Sequence, residues 1–451
     1  MTRALPTAVP WAWGAALAIV VGAAAGAAGA WALAGVAGLG LALALVRARQ
    51  RSAWVVAGFW VLFCTYETVL SDVLYVPGLF YPFYAAFVAT ILVMLLRSRL
   101  VLAPPLLWLN AAFLVVVLAS FAGFTEPIGF EVLQRIVAYL VGPLVALQFA
   151  GRRALRIVQG AAVVSGVVLA AWVVFESIQT GFVYRGGVEV DQNVVSFFIG
   201  LGLIVAIADA LAPTQGVRRG WAVAGTWLAA VLMLYGVLLL ASRGIAIAIV
   251  IAVLAVVGRS AARKPARLVA LVVAVAAVYG ATFLPGGDGL LERFTEDTVT
   301  SGNDRIPIWI GALRYYAAGD LWQLLFGHGF ASSWFAVQRV FGSLTSTHNA
   351  FLQLLVEFGI VGLGSFLALH AVLAWRSFQV EERLGSSMFG LLAFLLGTNL
   401  TLNATDGFMY WTALGLVMAM ATWAPPAEPA PTAPRLAGST DAVASAREAP
   451  A

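Results

Sequence analysis

Long runs of apolar residues, separated by short polar and basic stretches, cover most of the 451-residue chain. A helix that spans a bilayer needs about 17–25 predominantly apolar residues. The pattern therefore predicts an all-α polytopic membrane protein with about fourteen (12–14) transmembrane helices. The predicted spans are residues 13–29, 31–46, 53–70, 80–96, 105–122, 132–150, 156–177, 194–211, 221–240, 244–258, 268–285, 349–374, 387–402 and 408–423.

Two stretches depart from this pattern. Residues 286–347 are polar and lie between two late spans, which predicts one large loop, because the hydrocarbon region excludes polar chain. Loops of this length usually carry function. Residues 424–451 are rich in Ala, Pro, Thr and Ser, and we expect them to form a disordered cytoplasmic tail. Residues 1–423 are then a single transmembrane domain.

Composition excludes several classes of protein. Hydrophobic residues make up 62% of the chain and charged residues 10%, whereas a soluble domain carries about 25% charged residues. The net charge of +5 is spread over short basic runs between apolar segments, so we expect membrane lipids rather than nucleic acid as a partner. The single cysteine, Cys64, excludes an intramolecular disulfide and a cysteine metal cluster.

The basic residues predict the orientation of the chain in the membrane. With both termini in the cytoplasm, 19 of the 26 Lys and Arg residues fall on the cytoplasmic side, as the positive-inside rule requires. Residues 286–347 then lie outside the cytoplasm, and we expect the protein in the cytoplasmic (inner) membrane of a bacterium with its active face outward. The seven remaining basic residues are Arg135, Arg185, Arg243, Arg293, Arg305, Arg314 and Arg339.

Three of these outward arginines are candidate ligands for an anionic substrate. Arg243 lies in a three-residue hinge between two predicted spans, and an ionisable group at that depth indicates function. The alternative is that Arg243 snorkels to the interface or pairs with Glu176. Arg185 and Arg305 lie in outer loops, where either a ligand or a solvated side chain fits. Arginine suits a diphosphate, because its planar fork binds phosphate oxygens in bidentate fashion.

Carboxylates give little indication of a metal site. The short-spaced pairs Glu189/Asp191 and Glu296/Asp297 have no histidine or third carboxylate nearby in the sequence. Such pairs are more typical of loop solubility or of arginine partners. We therefore expect no metal and no cofactor.

His348 is the candidate catalytic base among three histidines. It lies where the large loop re-enters the membrane, and neutral histidine, with a pKa of about 6.5, can accept a hydroxyl proton near neutral pH. His328 lies between two glycines, which predicts a turn. His370 falls near the inner half of a span, which predicts a packing role.

The helix that follows His348 carries two supporting candidates. Asn349 could orient His348 or hold substrate; the alternative is that Thr347 caps the helix and His348 is a bystander. Glu357 lies nine residues after His348, about 13 Å further along a straight helix at 1.5 Å per residue. That distance predicts a structural or polar-cavity role for Glu357.

Several of these motifs, in this order, resemble the O-antigen ligase and O-antigen polymerase superfamily (the Wzy_C domain). The resemblance covers about residues 180–375. It rests on Ser242-Arg243-Gly244, Arg305 followed by Trp309, Gly327-x-Gly329, and Thr347-His348-Asn349 before the apolar run Leu352 to Gly362. Members of this superfamily are membrane glycosyltransferases of the GT-C type, active in cell-envelope polysaccharide biosynthesis.

The resemblance implies a reaction and a set of roles. The donor is an undecaprenyl-diphosphate-linked glycan, the acceptor is a glycan or lipid-linked hydroxyl, and the reaction needs no metal. Arg243, Arg305 and Arg185 would hold the diphosphate, and His348 would activate the acceptor. The sequence leaves open whether the enzyme is a ligase, a polymerase or a protein O-glycosylating enzyme.

A transporter or flippase of lipid-linked oligosaccharide is the alternative function. Transporters carry ionisable groups near the bilayer midplane in matched halves of the chain. Here the unusual charges are concentrated at the predicted outer surface. This distribution favours chemistry at the surface over passage through the membrane.

Overall fold

The computed structural model of the protein describes residues 57–58, 60, 104–120, 135–136, 138–140, 152–180, 192–211, 218–261, 305–342 and 346–423. Every secondary-structure element within these ranges is helical. The helices are α1 (Pro104–Ser120), α2 (Arg152–Thr180), α3 (Gln192–Leu211), α4 (Arg218–Leu240), α5 (Arg243–Ala261), α6 (Arg305–Ala317), α7 (Leu321–Phe326), α8 (Ser332–Phe341), α9 (Ala350–Ser377), α10 (Glu382–Asn399) and α11 (Phe408–Trp423). A short 3₁₀-helix, Ala404–Asp406, lies between α10 and α11.

Four helices in the described part are long and apolar enough to cross a membrane. They are Ala154–Gln179 within α2, α3, Trp221–Leu240 within α4, and α9. Shorter apolar helices occur at Trp108–Ser120 and Phe408–Thr422. These helices confirm an all-α membrane protein. The predicted spans at 13–29, 31–46, 80–96 and 268–285, most of 53–70 and 132–150, and the predicted tail lie outside the described residues.

Two groups of helices form the core. Helices α2, α3 and α4 pack against one another, and most residues of α3 are buried, because it also contacts α5 and α10. Helix α5 packs along α10. Two α10 glycines allow this close approach, since a side-chain carbon at Gly390 or Gly397 would meet Val256 or Ala248 of α5. Small residues at such contacts are typical of helices packed in membranes.

Helix α9 is kinked at Gly359, whose backbone is not helical (φ 65°, ψ −169°). The sequence predicted one uninterrupted span over residues 349–374; the structure divides it into a shorter helix before Gly359 and a longer one after it. The residues from Gly359 to Ser377 rise about 27 Å at 1.5 Å per residue, close to the bilayer hydrocarbon thickness of about 30 Å. This second part alone is therefore long enough to span.

The described part of residues 286–347 is largely helical, which the sequence pattern did not predict. Helix α6 packs against α8 and α9, where Ala312, Ala336 and Val356 are buried together. Helix α7 begins with a capping box: the Asp320 carboxylate accepts from the Gln323 amide at 2.8 Å, and the Gln323 side chain accepts from the Asp320 amide at 3.0 Å. The described part of this loop therefore forms a layer of helices on α9.

Candidate active site

The hinge between α4 and α5 places Arg243 beside the first turn of α3. Helix α4 ends at Leu240, Ala241 takes a left-handed backbone (φ 51°), and α5 begins at Arg243. The Ser242 hydroxyl donates a 2.8 Å hydrogen bond to Oδ1 of Asn193. The short hinge predicted from the sequence is confirmed, and it holds Arg243 at a helix start.

Arg305 lies close to Arg243. Burial lowers the pKa of Arg305, and the positive charge of Arg243 lowers it further. An electrostatic effect of this kind requires proximity, because Coulomb interactions weaken with distance. Within the described part of the chain, Arg305 makes no ion pair with a carboxylate. Two of the three arginines predicted to act together are therefore neighbours, while Arg185 lies outside the described residues.

The segment that carries His348 is tied to the same helix as Arg305. The indole nitrogen of Trp309, one turn after Arg305 in α6, donates a 3.0 Å hydrogen bond to the Thr347 carbonyl. His348 itself has a left-handed backbone (φ 48°), and its amide donates to the Ser346 hydroxyl at 3.0 Å. A non-glycine residue in this conformation is uncommon and is often found at functional sites.

Asn349 caps α9, so the alternative of a cap from Thr347 is wrong. The Asn349 side-chain oxygen accepts from the Leu352 amide at 3.0 Å, and its nitrogen donates to the Leu400 carbonyl at 3.3 Å. The Ala350 amide also donates to the Leu402 carbonyl at 3.2 Å. These bonds fix the start of α9 against the segment that follows α10.

The segment that follows α10 also contacts the Arg243 hinge. Gly244 packs so closely against Thr401 that any side chain at position 244 would overlap the Thr401 hydroxyl. The Thr347 hydroxyl lies 3.1 Å from Oδ1 of Asn403. Residues 400–403 therefore connect the Arg243 hinge to the His348 segment. We call this part of the molecule, with Arg243, Arg305, His348 and residues 400–403, the Arg243 end.

The Gly327-His328-Gly329 turn has a structural role. The His328 and Gly329 amides donate to the carbonyls of Val356 and Glu357 at 2.8 and 3.3 Å, which satisfies the end of the first part of α9. Gly327 has a positive φ of 85°, and a side chain there would overlap the Glu357 backbone. The turn predicted from the sequence is confirmed and holds the kink of α9.

The side chains of His328 and His370 also have structural surroundings. The His328 ring packs against Tyr315 with ring centres 4.4 Å apart, and burial lowers the pKa of His328. His370 is buried, and its ring nitrogens lie 2.8 Å from the Phe366 carbonyl and 3.0 Å from the Tyr410 hydroxyl. Both contacts agree with the turn and packing roles expected from the sequence.

A second cluster of charges, which the sequence did not indicate, lies beside the kink. The Arg135 guanidinium pairs with the Glu357 carboxylate at 2.6 Å and with the Asp406 carboxylate at 2.7 Å. The side chain of Arg135 is 3% exposed and that of Glu357 is fully buried, whereas that of Asp406 is 25% exposed. We call these three residues the ion cluster. Glu357 therefore forms a buried ion pair with a residue from a distant part of the chain.

Neutral side chains complete the ion cluster. The Ser333 hydroxyl donates to Glu357 at 2.6 Å, and the Gln353 amide donates to Asp406 at 2.6 Å. One cation faces two carboxylates. Burial raises the pKa of Asp406 to about 6, the negative charge of Glu357 raises it as well, and Arg135 opposes both effects. The cluster thus joins α8, α9 and the 3₁₀-helix to Arg135.

Comparison with known proteins supports a family for the central part of the chain. No curated protein matches the sequence. Residues 228–367 match the model of the Wzy_C family, described as O-antigen ligase. This range includes Arg243, Arg305, His348 and Glu357, whereas Arg135, Arg185 and Asp406 lie outside it. The match confirms, over residues 228–367, the resemblance to the O-antigen ligase family that the sequence motifs indicate.

Proposed function

We propose that the protein transfers a glycan from an undecaprenyl diphosphate to an acceptor hydroxyl at the Arg243 end, without a metal. The Wzy_C match supports a membrane glycosyltransferase of the O-antigen ligase or polymerase type. The observation that carries the proposal is that the helix starts of Arg243 and Arg305 are both tied to the His348 segment, through Thr401 and Trp309, while the charge of Arg243 acts on Arg305. Two neighbouring guanidinium groups repel each other, and a bound diphosphate relieves that repulsion while accepting bidentate hydrogen bonds from both.

The proposed reaction assigns one step to each of the residues at the Arg243 end. The acceptor oxygen attacks the anomeric carbon of the donor, the bond from that carbon to the diphosphate oxygen breaks, and negative charge develops on the leaving diphosphate. Arg243 and Arg305 stabilise this charge, and Arg185 is proposed to add a third guanidinium. His348 takes the acceptor proton, while Asn349 supports it by fixing the adjacent helix start.

A transfer assay tests the proposal. Purified protein in detergent is incubated with an undecaprenyl-diphosphate-linked oligosaccharide, an acceptor glycan and EDTA, and free undecaprenyl diphosphate and the new glycoside are measured. We expect both products in equal amounts. Activity that disappears with EDTA and returns with a divalent ion would contradict the metal-independent mechanism. Movement of the lipid across vesicles without any transfer would favour the flippase alternative.

The proposal also requires the Arg243 end to face away from the cytoplasm. Gln338 on α8 is exposed, so a cysteine there, in a Cys64→Ala background, is accessible to reagent. A membrane-impermeant thiol reagent applied to cells with an intact cytoplasmic membrane should label this cysteine. Phe378, exposed just after α9, is the matched position on the opposite side. Labelling at Phe378→Cys but not at Gln338→Cys would overturn the orientation.

A further inference from the structure

Helix α6 has apolar residues on two faces, and only one of them packs against protein. Ile308 and Ala312 are buried against the neighbouring helices. Ile306, Ile310 and Leu313 follow one another at intervals of four and three residues, which places them on one side of the helix. Their exposed fractions are 46%, 45% and 44%. An apolar stripe of three residues is therefore left uncovered along α6.

Helix α7, which follows α6 in the chain, also exposes apolar residues. Leu321, Trp322 and Leu325 are 74%, 65% and 37% exposed. Helix α7 packs against α1 and α9, two apolar helices. Those helices expose apolar side chains of their own, such as Val115 and Ile360. The exposed apolar residues of α7 therefore lie on a helix that packs directly against a helix long and apolar enough to span a membrane.

The charges around α6 fit a lipid surface as well. Arg305 stands at the start of α6, and the exposed Arg314 stands in its last turn. Helices that lie in a membrane interface combine an inserted apolar face with arginine or lysine at its edges, where the cations meet lipid phosphates. Tryptophan is likewise enriched at headgroup depth. A water-exposed surface would leave six large apolar side chains unpaired.

We propose that α6 and α7 lie in the membrane interface, with Ile306, Ile310, Leu313, Leu321, Trp322 and Leu325 inserted among the lipid acyl chains. The occupant of this surface is the bilayer itself, because α7 packs directly on α9, a helix long and apolar enough to span it. Arg305 then lies at the depth of the lipid phosphates, where the diphosphate of a membrane-bound donor also lies. The proposal concerns membrane position and stands whether or not the transfer reaction is correct.

Spin labels test the proposal on the full chain. Single cysteines replace Ile310 or Trp322 in a Cys64→Ala background, and the labelled protein is reconstituted in vesicles of phosphatidylethanolamine and phosphatidylglycerol. Collision rates with oxygen, which concentrates in the bilayer, and with a water-soluble nickel chelate give the depth of each label. Val231, 58% exposed on spanning helix α4, is the bilayer control, and the exposed Gln338 on α8 is the water control.

We expect the labels at Ile310 and Trp322 to favour oxygen as the label at Val231 does, at a depth of roughly 5–10 Å below the phosphates. The label at Gln338 should favour nickel. Nickel-favoured collisions at Ile310 or at Trp322 would overturn the proposal. Labels shielded from both oxygen and nickel would overturn it as well, because they would indicate that protein, and not lipid, covers the surface. If the Trp322 variant does not fold, Leu321, the most exposed residue of α7, takes the same label.

Discussion

Arginine occurs in two opposite electrostatic settings in this protein. In the ion cluster, Arg135 is buried and contacts two carboxylates at 2.6 and 2.7 Å. At the Arg243 end, the charge that shifts the pKa of Arg305 is that of another arginine, Arg243, which lowers it. A buried cation requires compensation, because desolvation of an uncompensated charge costs several kcal/mol. The ion cluster contains its own compensation, whereas at the Arg243 end the compensation that we propose is the diphosphate of the donor.

This difference indicates a structural role for the ion cluster and a proposed role in the reaction for the Arg243 end. The ion cluster connects α8, α9 and the 3₁₀-helix beside the kink, and Ser333 and Gln353 donate hydrogen bonds to its two carboxylates. Arg243 and Arg305 each begin a helix and approach each other in spite of like charge. Sites that need an unfavourable arrangement for their function commonly give up some stability for it. The comparison therefore predicts that changes in the two regions affect different measurements.

The largest expected effect on the reaction comes from His348. His348→Ala should lower the transfer rate by about 10²–10⁴, the usual contribution of a general base. Donor binding and thermal stability should change little, because the arginines hold the diphosphate and Asn349 still caps α9. Single-turnover transfer and donor binding are measured separately. His328→Ala is the control, and a loss of donor binding in His348→Ala would instead make His348 a phosphate ligand.

Replacing Arg135 should destabilise the fold. Arg135→Met leaves the buried Glu357 and the partly exposed Asp406 without their cation, and breaking a buried pair such as Arg135–Glu357 costs about 3–5 kcal/mol. Glu357→Gln should be much milder, because it leaves one cation with one carboxylate. Thermal unfolding in detergent measures both variants. Arg305→Met, which removes a like-charge repulsion, should leave stability unchanged or raise it; a loss as large as that of Arg135→Met would contradict the comparison.

Sequence reasoning identified the two regions unequally. Local hydrophobic patterns were enough to predict helices α2 to α5, helix α11 and the Arg243 hinge. Arg135 and Glu357 are 222 positions apart, and no local pattern indicates a contact over that distance. The kink could have been suspected from Gly359, but only the packing of Gly327 against the Glu357 backbone explains why the helix breaks there.

Replacing the paired arginines should affect activity more than stability. Arg243→Ala and Arg305→Ala should each lower the rate of transfer by about 10²–10³, the usual cost of removing one group that stabilises developing negative charge. Arg243→Lys should remain poor, because a single ammonium does not reproduce the bidentate fork. Arg314→Ala, on the same helix as Arg305 but exposed, is the matched control. Near-normal activity of both alanine variants would remove the phosphate-binding role.

The smallest effect concerns the pH dependence of stability. The raised pKa of Asp406, about 6, means that the folded protein holds a proton between about pH 4 and pH 6 that an unfolded aspartic acid, with a pKa of about 3.9, has released. Stability from this group is therefore present at the acid end and is lost as pH rises through about 6. The pKa of His328 is lowered, so the contribution of His328 to the free energy of unfolding rises with pH instead. Asp406→Asn should remove only the first contribution.

The groups that face Asp406 decide how this measurement is interpreted. Arg135 and Gln353 stabilise its charged form, Glu357 opposes it, and all three remain in Asp406→Asn. The free energies of unfolding of the parent protein and of Asp406→Asn are compared from pH 4 to pH 8. The contribution of His328 is the same in both proteins, so it cancels in the difference. A fall in transfer rate on acidification belongs to His348 only if it survives in Asp406→Asn, because histidine, with a pKa of about 6.5, titrates in nearly the same range. Its disappearance in that variant would assign the acid limb to the ion cluster and remove the evidence for His348 as the base.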